Sequence, residues 1–451
     1  MSHAKTLFSG SGLMARVLRS TSWILMGYGA SQALRLASNL ILTRLLFPEA
    51  FGLMALITVV VVGLTLFSDV GISPSIAQSK RGDDPDFLNT AWTIQVIRGF
   101  LLWLVASLLA YPLAAFYGQP DLALYLPIAA LSLVVAGFNP TRIETAHRHL
   151  LMGRLTGLDL ISQVIEIGIL IALALWLNSV MALAIGGVIG VTLKLMLTSA
   201  FLPGVRNRFR WEGAAARELV TFGKWIFLST VCHFFASQGD RAVLGKFLTL
   251  EMLGIYNIGF FLASFPLLLG LAVTARVMIP VYREGASPAR IARLRYVLSV
   301  GVIGLLTLAA LLGPWVVDLL YDPRYYASGA ILVLIALAMI PQAVGLTYDQ
   351  AALAAGDSRR FFIYSAVRSG LQVSLLLVGV MQFGLIGGII GLGLAMGLAH
   401  LMLIWLARTH RVWDPRHDLI FMAAGCAVTA LAVWLHWARL LQLAASSAAG
   451  S

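Results

Sequence analysis

Charge is scarce in this sequence and cysteine nearly missing. Asp, Glu, Lys and Arg make up 12% of its 451 residues, about half of the roughly 25% usual in a soluble domain. A water-exposed globule needs that charge on its surface, so a soluble core is excluded. The only cysteines, Cys232 and Cys426, fall inside apolar stretches, which leaves no disulfide framework and no metal-ligand spacing. Long polar connections are missing too: Asn178-Ser179 and Gln382-Phe383 each separate two apolar runs, leaving no room there for a catalytic domain outside a membrane. No Ser/His/Asp arrangement, paired carboxylates on a large loop, metal motif or phosphate-cradling glycine loop is found. An enzyme is therefore not expected, nor a metal or cofactor.

What fills the sequence instead is hydrophobic residues, 59% of the total, in repeated runs of about 20, the length that crosses a hydrocarbon layer of about 30 Å. The runs predict an all-α polytopic membrane protein, with spans near residues 20–46, 51–77, 90–117, 122–141, 157–177 and 180–202, a second group near 220–245, 252–280, 296–320, 326–352, 361–381 and 384–407, and one more near 419–438. Lys5, Arg16 and Arg19 precede the first run, which continues to Leu46 without a cleavage site of small residues. It reads as a retained helix rather than a signal peptide.

The net charge of +12 does not point to nucleic acid, because the basic residues are scattered through connections. With the amino terminus cytoplasmic, the inside connections collect Lys80, Arg81, Arg142, Arg148, Arg154, Arg206, Arg208, Arg210, Arg217, Arg283, Arg290, Arg293, Arg295 and others, while the outside keeps Arg44, Lys246, Arg324 and Arg439. That asymmetry follows the positive-inside rule.

The sequence also repeats. Asn39–Met54 (NLILTRLLFPEAFGLM) aligns with Arg241–Tyr256 (RAVLGKFLTLEMLGIY), pairing Arg44 with Lys246, Glu49 with Glu251 and Gly52 with Gly254 at one spacing of 202 residues. IGGVIG from Ile185 matches IGGIIG from Ile386 at 201. The expected architecture is two pseudo-symmetric six-helix bundles around a central cavity plus about one extra C-terminal helix. Its expected divisions are a cytoplasmic N-terminal segment 1–19, bundles 20–204 and 220–410, a basic cytoplasmic linker 205–219, and the extra helix and tail 411–451. Six spans per copy give parallel repeats, and a substrate path is expected between them near the midplane.

Ionisable residues in hydrocarbon are costly and point to function or to pairing. Tyr28, Gln32, Arg35, Asn39 and Thr43 recur at helical spacing on one face of the first span, and Thr230, Ser237 and Arg241 on the seventh. Arg35, Arg98, Lys194, Lys224, Arg241, Arg276 and Arg368 outnumber Asp69, Asp159, Glu166, Asp240 and Asp349. A phosphate or pyrophosphate group suits such a surplus, since arginine binds its oxygens bidentately. The candidate substrate-binding residues are Arg35, Arg241, Arg276, Gln32 and Asn39. Asp69, Asp240 and Asp349 serve either ion coupling or plain charge pairing, and His400 and His436 read as packing or interface residues.

Residues 42–92, with LTRLLFPEAFGLMAL, LFSDVGISPSIAQ and DFLNTAW, resemble the start of the polysaccharide transporter family, the Wzx-like oligosaccharide flippases of the multidrug/oligosaccharidyl-lipid/polysaccharide exporter superfamily. The resemblance covers essentially residues 15–410. It implies translocation of a polyprenyl-diphosphate-linked oligosaccharide from the cytoplasmic to the periplasmic leaflet of the bacterial inner membrane by alternating access, with membrane lipids and polysaccharide polymerase or export machinery as partners. Arg44, Glu49, Gly52, Asp69, Gly71 and Asn89 match the family pattern and read as largely structural. A multidrug or organic-cation antiporter of the same superfamily is the competing function, disfavoured by the surplus of cations; a membrane polysaccharide polymerase is disfavoured by the short outside connections.

Overall fold

The structure, a computed structural model, describes the backbone of residues 13–69 and 71–449, and the side chains within them except at 13–22, 24–25, 220–227 and 446–449. Lys5 and the side chains of Arg16, Arg19 and Lys224, singled out above, lie outside what is described. Every regular element among the described residues is helical. This follows from the sequence, because a chain in hydrocarbon must satisfy its backbone polar groups internally, and a helix does so within one segment. Eight helical stretches among the described residues are long and apolar enough to cross a membrane, nine if a bent pair at residues 122–148 is one span. Their outer faces carry bare apolar side chains, with Trp176 and Leu319 each 80% exposed, as suits contact with lipid.

The chain divides into two compact units: one contains the residues up to Leu46 together with Ile57–Val231, the other Phe47–Leu56 together with Cys232 onward. The first unit contains α1 (Leu13–Leu45), most of α2 (Pro48–Phe67), α3 (Ile72–Gln78), α4 (Pro85–Tyr117), α5 (Leu122–Gly137), α6 (Arg142–Arg148), α7 (Met152–Leu177), α8 (Val180–Phe201) and the start of α9 (Gly213–Phe247). Helix α4 shows how such helices begin and end. Pro85 occupies its first turn, Asp84 caps it by accepting from the Asp86 N–H at 3.0 Å, and Gly118 closes it at φ 69°, a conformation that glycine adopts without a steric penalty. Its apolar face packs on α5 through Leu102, Ala106, Ala130 and Leu133.

The linker after α8 is stitched to the start of α4. Asn89 Oδ1 accepts from the Arg208 N–H at 3.0 Å, Thr93 Oγ1 from the Arg210 N–H at 3.1 Å, and Thr90 Oγ1 from the Glu212 N–H at 3.1 Å. Arg81 adds ion pairs to Asp84 and Glu212 at 2.5 and 2.7 Å. Its guanidinium holds both carboxyls below the usual carboxylate range. The DFLNTAW segment is thus structural, since its Asn and Thr side chains take up backbone donors that have no helix to join.

The second unit contains the end of α9, α10 (Leu250–Arg283), α11 (Pro288–Leu320), a 3-10 turn (Pro323–Tyr325), α12 (Ala327–Ala338), α13 (Ile340–Val344), α14 (Tyr348–Ala354), α15 (Ser358–Thr409), α16 (Pro415–Leu435) and α17 (Trp437–Ala449). The two expected spans, 361–381 and 384–407, are the two helices of α15, parted at Phe383 and Gly384, whose backbone is not helical (Gly384 has φ 61°). The span expected at 326–352 is instead broken into α12, α13 and α14. A break at membrane depth is tolerated where protein surrounds it, and Ser328–Ala338 are buried almost throughout.

The repeated glycines meet in this unit. A Cβ built on Gly52 would lie 2.0 Å from the Leu250 carbonyl oxygen, and one on Gly254 would lie 2.0 Å from the Pro48 oxygen. Each glycine faces the carbonyl one turn before the other, so the two copies of the motif touch backbone to backbone.

Gly52→Ala and Gly254→Ala are each expected to lower stability by about 1–3 kcal/mol or more through overpacking, read as a drop in thermal unfolding temperature in detergent. Asn89→Ala strands a backbone donor and should cost about 1–3 kcal/mol, with faster proteolysis within residues 205–212. Because the Asp84 and Glu212 pKa values are lowered in the fold, their contribution is present above about pH 4 and lost as pH falls through the lowered values. Mild acid should therefore loosen the linker less than Asn89→Ala does.

Candidate functional site

In the first unit, the polar face of α1 packs on α7. Gly27 sits against Thr156, where a Cβ would come 2.1 Å from the methyl group. One turn on, Gln163 Nε2 donates to the Ser31 carbonyl at 3.1 Å, and Gln32 Nε2 donates to the Tyr28 hydroxyl at 3.0 Å. Gln32 is buried, with its Oε1 lacking a partner. Arg35 follows and is exposed, while Asn39 is half-buried. Among the described residues Arg35 makes no hydrogen bond; its electrostatic partner is Glu166 on α7, whose carboxylate lies against Gly190 of α8. Lys194 pairs with Asp159 at 2.9 Å.

Asp69 lies at the break between α2 and α3, where its carboxylate accepts from the Gly71 N–H at 2.8 Å. The Arg98 charge is nearby, and Arg98 itself donates to Ser68 Oγ at 2.9 Å and to the Thr65 carbonyl at 2.5 Å. Asp69 therefore holds a turn and faces a cation.

In the second unit, Arg241 is engaged through two of its three nitrogens. Its Nε donates to Asn257 Oδ1 at 2.8 Å, its Nη1 donates to the Ser237 carbonyl at 3.2 Å, and its guanidinium lies 4.4 Å from the Phe260 ring centre. Asp240, buried, accepts from the Tyr256 hydroxyl at 2.7 Å and lies 3.8 Å from Arg241. Arg276 differs: its one hydrogen bond among the described residues goes to the Ala272 carbonyl of its own helix, at 2.8 Å. Asp349 accepts from Gln350 Nε2 at 3.0 Å and faces Arg368 across a short electrostatic distance. Of the sequence candidates, Gln32, Arg35 and Asn39 share one face of α1; Arg241 and Asp240 form a pair; and, among the described residues, Arg35 and Arg276 keep donors free.

Two arginines attributed above to inside connections are buried. Arg142 donates to the carbonyls of Ser199, Leu202 and Val205 at 2.8–3.0 Å, and so takes up acceptors that the end of α8 leaves over. Arg295, 2% exposed, donates to Thr347 Oγ1 at 3.0 Å and to the Val412 carbonyl at 2.6 Å, approaches Asp414 at 3.8 Å, and stacks 4.6 Å from the Tyr348 ring. Beside it, Asp418 gathers four donors: Tyr348 Oη at 2.7 Å, Trp413 Nε1 at 2.9 Å, His417 Nδ1 at 3.2 Å and His400 Nε2 at 3.3 Å. Residue spacing did not point to this cluster, because its members come from four separate stretches. The adjacent His417-Asp418 at the start of an apolar run was the one local signal.

A family model described as "Polysaccharide biosynthesis protein" matches residues 41–328. The "Lipopolysaccharide biosynthesis protein WzxC" of Escherichia coli (strain K12) is 20% identical over 385 residues, 84% of this chain and 78% of that one. An "Uncharacterized membrane protein in cps region" of Klebsiella pneumoniae is 20% identical over 304 residues, 67% of this chain. The chain spans 62% of the length of that Klebsiella protein, less than two thirds. Among solved structures, "Lipid II flippase MurJ, inward closed conformation" superposes with a TM-score of 0.67 at 12% identity, covering 93% of this chain and 97% of the other. At that identity the likeness shows a shared fold.

Arg241→Ala removes one partner of a buried pair and is expected to lower stability by about 3 kcal/mol. Arg35→Ala, at an exposed position, should stay within about 0.5 kcal/mol of the parent. Thermal unfolding of both variants in one detergent checks the contrast.

Proposed function

We propose, from the premise that this chain belongs to the polysaccharide biosynthesis protein family, that it is a flippase for a polyprenyl-diphosphate-linked oligosaccharide. It works in the bacterial inner membrane with its amino terminus cytoplasmic, as two six-helix bundles plus the C-terminal helices, and moves its substrate toward the periplasmic leaflet by alternating access. The observation that carries this reading is Arg35. It is an arginine within a predicted span, exposed, free of hydrogen bonds among the described residues, and flanked on one helical face by Gln32 and Asn39. Moving a diphosphate out of water costs many kcal/mol unless its charge is met, and a guanidinium meets two oxygens at once. Arg276, with most of its donors free, is the second ligand we assign. Arg241, the third candidate from sequence, spends Nε and Nη1 on Asn257 and the Ser237 carbonyl, and in this reading it supports α9 and α10 as well as facing substrate.

The fold and the descriptions of the relatives support transport tied to polysaccharide biosynthesis. Partners follow from the substrate: the lipid-linked glycan, the surrounding lipids, and a polymerase or export machinery that receives the product.

Deleting the gene is expected to make lipid-linked oligosaccharide accumulate in the cytoplasmic leaflet. Re-expressed Arg35→Ala and Arg276→Ala, inserted at normal levels, should lose export at least about tenfold, while Arg35→Lys retains part of it, because a point charge replaces a bidentate fork. Normal export by both alanine variants would remove the proposed roles.

A further inference from the structure

The cluster around Asp418 holds fewer cations than carboxylates. Its ions are the buried Arg295 and Asp418 and the partly exposed Asp414, one cation against two anions. Arg368 lines the neighbouring cavity, but Asp349 faces it. The remaining charged and titratable groups around the cluster do not supply the missing charge. Arg408 is an exposed side chain over the Trp413 ring, Asp357 is paired with Arg360 and His410, and Tyr282, Tyr296, Tyr348 and Tyr364 are phenols. In low dielectric an unmatched charge is expensive, and two imidazoles, those of His400 and His417, touch the carboxylate.

The two imidazoles are not equivalent. An ionised carboxylate only accepts, so each histidine nitrogen bonded to Asp418 carries its hydrogen. His417 is completed by Ser299, whose hydroxyl lies 2.9 Å from Nε2. His400 is 6% exposed, and its second nitrogen, Nδ1, has no hydrogen-bond partner among the described residues. His400 lines a cavity together with Pro341, Gln342, Tyr364 and Arg368, with room for about one water. Gly345 packs closely beside it: a Cβ there would stand 2.2 Å from Leu403 Cδ2 and 3.1 Å from Nδ1.

We propose that His400 is a proton-binding site that couples transport to a pH gradient. A proton entering through the cavity binds the Nδ1 lone pair, the imidazole becomes imidazolium, and the Nε2 hydrogen stays on Asp418. The added charge balances the cluster, so proton occupancy bears on the contacts by which Asp418 holds α14, α15 and α16. Asp69 and Asp240 take no part, since each is already committed, to a turn and to Tyr256 respectively. The coupling half of this inference rests on the flippase reading; the proton-binding half does not.

The test uses the full-length protein in lipid nanodiscs. Hydrogen–deuterium exchange at histidine C2, followed by mass spectrometry, reads each imidazole of the unmodified protein. The His400 rate is expected to change with pH inside the window where imidazoles titrate, roughly pH 5–8; a flat rate overturns the proposal without any variant. In proteoliposomes with an imposed pH gradient, the wild type should move a lipid-linked oligosaccharide faster than without the gradient, and His400→Gln should lose that stimulation. A wild type that transports but ignores the gradient overturns the coupling while the flippase reading stands. A His400 that titrates in a protein moving no lipid-linked oligosaccharide overturns the flippase reading, and the coupling with it.

Discussion

Where Gly52 and Gly254 meet, two helices approach so closely that neither position has space for a methyl group. In a membrane, lipid tails are as apolar as leucine, so helices associate through close packing and hydrogen bonds rather than by escaping water. Small residues that bring backbones together are the strongest means available. The first turns of α2 are thereby held with α10 in the second unit, although the remainder of α2 counts with the first. The same device recurs where Gly99 faces the Leu133 carbonyl of α5, and where Gly379 and Gly387 face each other's carbonyls within α15. Helices placed this way set the positions from which every polar side chain must find its partner.

Those partners separate the charges of the membrane interior into two kinds. Most are spent locally: Arg142 on helix-end carbonyls, Arg295 on a carbonyl and a hydroxyl, Asp69 on a backbone amide, Arg241 on Asn257 and a phenyl ring. Such groups hold the fold, and the donors and acceptors they spend there cannot also hold a ligand. A minority retain unused capacity, among them Arg35, Arg276 and the second nitrogen of His400. The proposed function is assigned to that minority.

The helical class and the glycine pair of the repeat were legible in the sequence, because run length and spacing are local or periodic signals. Gly52 with Gly254 is the clearest case, since the aligned pair is also a contact. The break of 326–352 into three helices was not legible, because what permits it is burial by distant segments rather than a change in composition. Arg295 and Arg142 misled for the same reason: an arginine at a span end looks alike whether it faces water or folds back onto carbonyls. Distinguishing Arg35 from Arg241 required knowing that Asn257, sixteen residues on, reaches back to the guanidinium. The Asp418 cluster draws on residues from 295 to 418, and no window short enough to read as a motif contains them.

The stitch between the linker and α4 has a consequence for variation. Asn89, Thr93 and Thr90 take hold of the amides of residues 208, 210 and 212 and leave their side chains outside, where Arg206, Arg208 and Arg210 are exposed. Position is thus encoded in the linker's backbone, while the charge that biases orientation sits in its side chains. The two can be edited separately. Any residue with an amide hydrogen keeps the stitch, and proline at 208, 210 or 212 breaks it; a lysine, a glutamate or a serine at 206 or 208, outside the ion pairs of Arg210 and Glu212, rewrites the charge of the loop without moving it.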